Sequence, residues 1–261
     1  MEILIVGDVF SKLGRESFER NVAKIKKERN INFIVVNGEN TSHGKGLNQN
    51  HFKWYMTQGV NVVTLGNHTY DNKQIFDFID DTPNLIRPYN FPSDAKGKGV
   101  CTINYNGLKI TVFQMSGQVF MKDGDKFANP FSATEEILNK YPSDIYICDF
   151  HGEATSEKIA YGLHFDGRVH IMYGTHTHVT TTDGRILPNG SAYITDLGMT
   201  GALNGVIGTK KEIIIDRFIN HSMLTFAPED SGESQFNAFL VSIDEKTKKV
   251  TKVDTISVLE K

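Results

Sequence analysis

The chain has 261 residues, 28 Lys+Arg against 31 Asp+Glu for a formal charge of −3, 39% hydrophobic residues and two cysteines. That length buries a sizeable core, and the near-balance of charge excludes a basic coat for duplex DNA while leaving a small nucleotide open. No apolar run approaches the roughly 20 residues that span a bilayer, MEILIVGD lacks the pattern of a secretory signal, and Cys101 and Cys148 show no metal-ligand spacing; a cytoplasmic globular protein is expected.

Glu2–Gly7 reads as a buried strand, a short β-branched run ending in Gly-Asp. Gly14–Asn30 reads as a helix, with Phe18, Val22 and Ile25 on one face. Asn32–Val36 is a second strand, Asn50–Gln58 a helix, Val60–Leu65 a third strand and Lys73–Ile79 a short helix. Strand–helix–strand order implies parallel pairing through right-handed crossovers, and such sheets carry ligands at the carboxyl ends of their strands. Asp8, Glu39, Asn40, Asn67 and His68 stand at those ends.

Gly99–Tyr105 and Leu108–Met115 flank Asn106-Gly107, a hairpin signal. Thr134–Lys140 and Ser156–Tyr161 look helical, and Ile145–Phe150 is a strand ending at His151. Val169–Tyr173 is a strand running into Gly-Thr-His-Thr-His, and Ser191–Thr195 is one ending at Asp196. Lys211–Ile219 reads as a helix, and Phe236–Ile243 with Lys249–Val258 as a terminal hairpin. With no repeat, low-complexity tract or linker, residues 1–261 read as one α/β domain, a two-layered mixed sheet core flanked by helices.

Five strand-end segments hold the unusual residues: Asp8, Glu39-Asn40, Asn67-His68, His151, and His176-x-His178. All offer oxygen or imidazole and none a thiolate, a donor set for Mn, Fe or Zn rather than structural zinc. On extended backbone His176 and His178, two apart, face the same way. Eight such groups exceed one tetrahedral shell and suit two ions sharing a bridging carboxylate.

The pieces GD (Gly7-Asp8), NGEN (Asn37–Asn40), GNHTYD (Gly66–Asp71), His151 and GTHTH (Gly174–His178) resemble the calcineurin-like metallophosphoesterases, and most closely their YmdB-like branch, where the glutamate of GEN replaces an aspartate. The resemblance extends over DFHGEATSEK (Asp149–Lys158), DGRV (Asp166–Val169) and the run Gly174–Gly201. One departure stands out: most of the superfamily has D-x-H at the first strand, and position 10 here is Phe10. The resemblance implies a metallophosphoesterase-like α+β sandwich with two divalent metal ions, Fe or Mn first and Zn third. One ion would be held by Asp8, Glu39, Asn40 and His178, the other by Glu39, Asn67, His151 and His176, with Glu39 bridging. Two such ions and two carboxylates leave a net charge of about +2, attractive to phosphate. Water between the ions would attack phosphorus in line, with His68 as general acid and Asp71 orienting its ring.

The implied activity is hydrolysis of small phosphodiesters, 2′,3′-cyclic and also 3′,5′-cyclic nucleotides, by a homo-oligomer that uses neither duplex DNA nor a membrane. A metal-dependent phosphomonoesterase shares every motif, and a non-catalytic nucleotide-binding scaffold is the reading from another class. Lys45 in TSHGKG reads equally as a phosphate contact or as part of a solvent loop, Arg15 reads as a surface cation ahead of a phosphate contact, and His43 reads as ordinary, with substrate contact the lesser alternative. Phe18, Phe76 and Phe78 fit core stripes rather than a base-stacking platform, Thr180–Thr182 reads as strand or turn, and Asp196–Gly201 has no role from its own chemistry.

Overall fold

A computed structural model describes residues 1–261. Its first half runs β1 (Glu2–Val6), β2 (Asp8–Val9), α1 (Ser11–Glu28), β3 (Ile31–Asn37), α2 (Gln49–Thr57), β4 (Val62–Thr64), β5 (Leu85–Ile86), β6 (Val100–Tyr105) and β7 (Leu108–Ser116). The second half runs α3 (Pro130–Lys140), β8 (Ile145–His151), α4 (Thr155–His164), β9 (Ile171–Thr175), β10 (Arg185–Ile186), β11 (Ala192–Ile194), β12 (Met199–Ala202), α5 (Lys211–Asn220), β13 (Ser234–Ile243) and β14 (Val250–Glu260).

The strands form two mixed sheets, one ordered β2-β12-β13-β1-β3-β4-β5 with β14 alongside β13, the other β10-β11-β9-β8-β7-β6. Period-two alternation sets the layers. Ile3 and Ile5 of β1 and Val35 of β3 meet Val112 of β7, Ile147 of β8 and Ile194 of β11 between the sheets. The alternate residues Leu4, Val6 and Val36 face outward onto Phe18 and Val22 of α1 and Tyr55 of α2. On the opposite outer face Phe113 and Met115 of β7 and Phe150 of β8 pack on Ile137 of α3 and Tyr161 of α4. The expected two-layered core flanked by helices is therefore present.

β1, β3 and β4 pair in parallel, as do β7, β8 and β9. The hairpins β6–β7 and β13–β14 form as expected. Three features were not expected. β13 returns from the far end of the chain to pair antiparallel with β1; the short strands β2, β5, β10 and β12 appear; and Lys73–Asp77 closes as a 3-10 rather than an α-helix. Thr180–Thr182 is irregular backbone ending in a bend, not a strand. α5 forms where periodicity puts a helix yet buries none of its residues, and no helix is long and apolar enough to cross a membrane.

Candidate metal centre

The carboxyl ends of the parallel strands of both sheets meet at one edge. His151, the last residue of β8 and fully buried, points Nε2 at Asn67 Oδ1 (2.8 Å), His176 Nδ1 (3.1 Å) and Glu39 Oε1 (3.2 Å). Glu39 Oε2 accepts the backbone N–H of His68 at 3.0 Å. Gly66 is the neighbour this crowding requires, because a Cβ there would collide with Glu39 Oε2 and His151 Nε2. Beside this group His178 Nε2 lies 3.3 Å from Asn40 Oδ1, while its Nδ1 donates to the carbonyl of Ile207 at 2.9 Å. Asp8 connects the halves: Oδ2 accepts the N–H of His176 at 3.2 Å, and Oδ1 is buried without a partner.

The expectation that His176 and His178 share a face fails. β9 ends at Thr175, and both histidines take positive φ, 99° and 65°. The chain turns between them, sending His176 to His151 and His178 to Asn40.

The electrostatics of the cluster suit a cation. Burial pushes the Asp8 carboxyl well above its ordinary range, with the negative neighbours Glu39 and Asp196 adding to the rise against His151. Burial also opposes charge on Glu39, but the adjacent His151 outweighs it and takes the carboxyl down to about 2. The same contact raises His151 to about 9 against its own burial. Burial, then the His151 charge, lowers His176 to about 3. The carboxylates thus hold a proton on His151, and a divalent cation bound in its place would meet the same negative charge more strongly. The orphaned Asp8 Oδ1, the all-N/O donor set and the approach of Glu39, His151 and His176 ligand atoms to within 4.8 Å fit such an ion.

Several residues that hold this geometry escaped the sequence reading. Asp149, fully buried on β8, accepts from Thr64 Oγ1 (2.5 Å), Thr175 Oγ1 (2.6 Å), Asn37 Nδ2 (3.0 Å) and Gln114 Nε2 (3.1 Å). Gln114 in turn holds both the N–H and the carbonyl of Leu65, ahead of Asn67. Because Thr175 gives its hydroxyl proton to Asp149, its oxygen accepts from His151 Nδ1 at 2.9 Å, leaving Nε2 as the nitrogen that faces the cluster. The signal was present: Asp149 and His151 are two apart on a strand, hence on one face. Lys158 of α4 and Asp196 pair at 2.6 Å with both side chains 1% exposed. Lys158 also donates to the Thr175 carbonyl at 2.9 Å, and Asp196 accepts from the N–H groups of Thr177 and Gly198. The segment Asp196–Gly201, without a role from sequence, therefore anchors the loop carrying both histidines.

Phe10, where most of the superfamily has histidine, packs edge-on to His178 with centroids 5.6 Å apart. Gly44 and Gly208, both at positive φ, leave the room its ring fills: a Cβ at either would stand 2.6 Å from it. Arg15 is engaged with the Thr41 carbonyl at 2.6 Å, and His43 is exposed. His68 Nδ1 lies 2.7 Å from Asp71 Oδ2. A cavity of about 740 Å³ opens beside Asn67 and His68, with Lys45 and Asp71 on its wall.

The family model for YmdB-like proteins matches residues 4–256. The chain is 43% identical to a 2′,3′-cyclic-nucleotide 2′-phosphodiesterase of Bacillus subtilis strain 168 over 259 residues, covering 98% of this chain and 96% of the relative. A crystal structure described as a novel phosphatase from Mycoplasma pneumoniae superposes with a TM-score of 0.94 at 37% identity, covering all of this chain and 94% of the other. A protein from Thermus thermophilus, described as hypothetical, gives 0.93 at 31% identity with both chains fully covered.

Proposed function

The chain belongs to the YmdB-like family of calcineurin-like metallophosphoesterases, and from that premise we propose that this phosphoester hydrolase opens 2′,3′-cyclic nucleotides with the 2′-oxygen as leaving group. The observation that carries the reading is the convergence of Glu39, Asn67 and His176 on His151 Nε2, with His68 joined to Glu39 at the mouth of a cavity. Asp8, Glu39, Asn40 and His178 would hold one divalent cation, and Glu39, Asn67, His151 and His176 a second, Fe or Mn before Zn. When bound, such ions supply Lewis acidity, drawing in the phosphate and activating water.

His68 supplies the proton. Asp71 engages Nδ1, which leaves Nε2 as the nitrogen that acts. As water adds to phosphorus and the bond to O2′ breaks, Nε2 gives its proton to that oxygen, and the product is a nucleoside 3′-phosphate. Asp71 keeps the ring oriented. Asp149 and Thr175 keep the proton of His151 on Nδ1 and its Nε2 free for the cation.

Chelator-stripped protein reloaded with Mn²⁺ would be tested on bis-p-nitrophenyl phosphate, on p-nitrophenyl phosphate and on a panel of 2′,3′- and 3′,5′-cyclic nucleotides. Metal-dependent cleavage favouring the diesters, with 3′-phosphates from the 2′,3′-cyclic substrates, is expected. Preference for the monoester would replace this reading with a phosphatase on the same centre, and inactivity with bound metal would favour a nucleotide-binding scaffold.

A further inference from the structure

The cavity beside His68 has an aromatic wall that the chemistry above does not use. Tyr70, Phe76, Phe91 and Phe127 line it together with Asn67 and His68, and its volume of about 740 Å³ falls in the range of small-molecule sites. The rings form a connected row. Tyr70 stacks on Phe76 with centroids 5.2 Å apart and planes 7° from parallel. Tyr70 approaches Phe91 at 6.3 Å, and Phe91 stacks on Phe127 at 4.7 Å. The hydroxyl of Tyr70 donates to the Lys96 carbonyl at 2.6 Å, fixing the middle of the row.

Phe76 is 46% exposed, against the expectation that it belongs to the core with Phe18 and Phe78. Phe76, Phe91 and Phe127 belong to none of the three hydrophobic clusters, while Tyr70 packs against the edge of the one beneath α1 and α2. Apolar faces held open to water beside a polar site are what a ring-bearing ligand covers. A larger cavity of about 840 Å³ shares Phe91 and Phe127 but reaches neither Asn67 nor His68. The wall of the His68 cavity carries four lysines against three aspartates, too balanced a charge to track a strand of phosphates.

The chemistry fixes which side of the substrate faces this wall. In a 2′,3′-cyclic nucleotide the base hangs from C1′, next to the carbon whose oxygen departs. The acid that protonates O2′ therefore stands on the base side of the phosphate, and the cavity it opens into receives the base. We infer that Tyr70, Phe76, Phe91 and Phe127 form a nucleobase-binding subsite, with one base stacking on the outer face of the Phe91–Phe127 pair. This rests on the cyclic-nucleotide reading above and extends it from the phosphate to the ring. Every base has a π face, so the wall accepts purines and pyrimidines alike.

The metal-loaded enzyme and its Phe91→Leu and Phe127→Leu variants, which keep apolar bulk and lose the ring, would be compared on two substrates. One is 2′,3′-cyclic adenosine phosphate, the other methyl riboside 2,3-cyclic phosphate, which has no base. The ratio of kcat/KM for the nucleotide to that for the base-free ester should fall roughly 5- to 150-fold in each variant, the span of aromatic–base stacking. A ratio that stays at the wild-type value overturns the subsite, because the rings then serve only the fold. If the wild-type enzyme hydrolyses neither ester, the cyclic-phosphodiesterase reading falls by itself. The subsite is then decided by adenosine 3′-phosphate binding: its Kd rises by the same factor in Phe91→Leu if the rings hold the base, and an unchanged Kd rejects it.

Discussion

Asn67, His151 and His176 stand at or just past the ends of β4, β8 and β9, whereas Asn40 and His178 sit in loops and meet through a single 3.3 Å contact. The strand-end group is backed by parallel ladders and by Asp149, whose two oxygens take four donors from as many segments. The loop group is backed by the Gly44 carbonyl on Asn40, the Ile207 carbonyl on His178 and the ring of Phe10. One half is positioned by hydrogen bonds that secondary structure enforces, the other by an aromatic wedge between two glycine-bearing loops. Rigid elements place a ligand more closely than loops do, so the halves should differ in how much a remote substitution disturbs them.

His68 belongs to neither half, which makes it the cleanest probe of chemistry apart from metal holding. His68→Ala keeps the backbone N–H that Glu39 accepts, so metal content measured by atomic emission should stay at the wild-type level. Turnover should fall by ~10²–10⁴, the contribution of a positioned general acid. Equal loss of metal would mean that His68 helps to hold the ions.

Next in size is Lys158→Met. It strands the Asp196 carboxylate in a site with 1% exposure and should cost about 3–5 kcal/mol in urea unfolding, as removing one partner of a buried pair does. Because Lys158 and Asp196 together hold Thr175, Thr177 and Gly198, the surviving folded protein should bind metal more weakly in both halves. A cost below about 1 kcal/mol, the level of exposed pairs, would show that water reaches the pair.

Asp149→Asn is narrower and aims at the strand-end half alone. An amide has one acceptor oxygen for partners that include two NH₂ groups, Asn37 and Gln114, so its own NH₂ is driven toward Thr175. The Thr175 hydroxyl then turns its proton to His151 Nδ1 and moves the imidazole proton to Nε2, the nitrogen that faces the cluster. Metal affinity should fall by about 10–100-fold, as for other groups that orient a metal-binding histidine. A ¹⁵N spectrum of the metal-free protein, taken above the His151 value of about 9 so that the ring is neutral, should report the tautomer change. An unchanged tautomer with weakened binding would leave Asp149 a purely structural role.

Strand ends were legible because alternation and short β-branched runs mark where parallel strands stop, and Asp8, Glu39, Asn67 and His151 follow directly from those stops. The same local signal says nothing about β13, whose pairing with β1 joins the two ends of the chain. The backbone at His176 and His178 was misread because extension was carried past Thr175, where positive φ turns the chain. Phe76 was misread for a related reason. A 3-10 turn has three residues per turn, which puts Ile75 and Phe78 on the buried side and releases Phe76 to the cavity. Asp149 was legible by period two beside His151, but its four partners come from β3, β4, β7 and β9 and exist only after folding.

The smallest effect tests the loop half. Phe10 is 2% exposed, and Phe10→Leu keeps most of its apolar bulk, so the unfolding free energy should drop by only about 1 kcal/mol. What changes is the edge that rests on His178. Leucine has no flat ring to fill the gap between Gly44 and Gly208, so the loops carrying Asn40 and Ile207 can settle inward and rotate His178 away from its 3.3 Å contact with Asn40. The strand-end group does not touch Phe10, and its ladder and Asp149 contacts are untouched by the change. A metal titration should therefore show one class of site weakened a few-fold and the other unmoved, in contrast to Lys158→Met, which loosens both. Equal weakening of the two classes would mean that the halves act as one unit through Glu39 and Asp8, and that how each is braced matters less than the carboxylates they share.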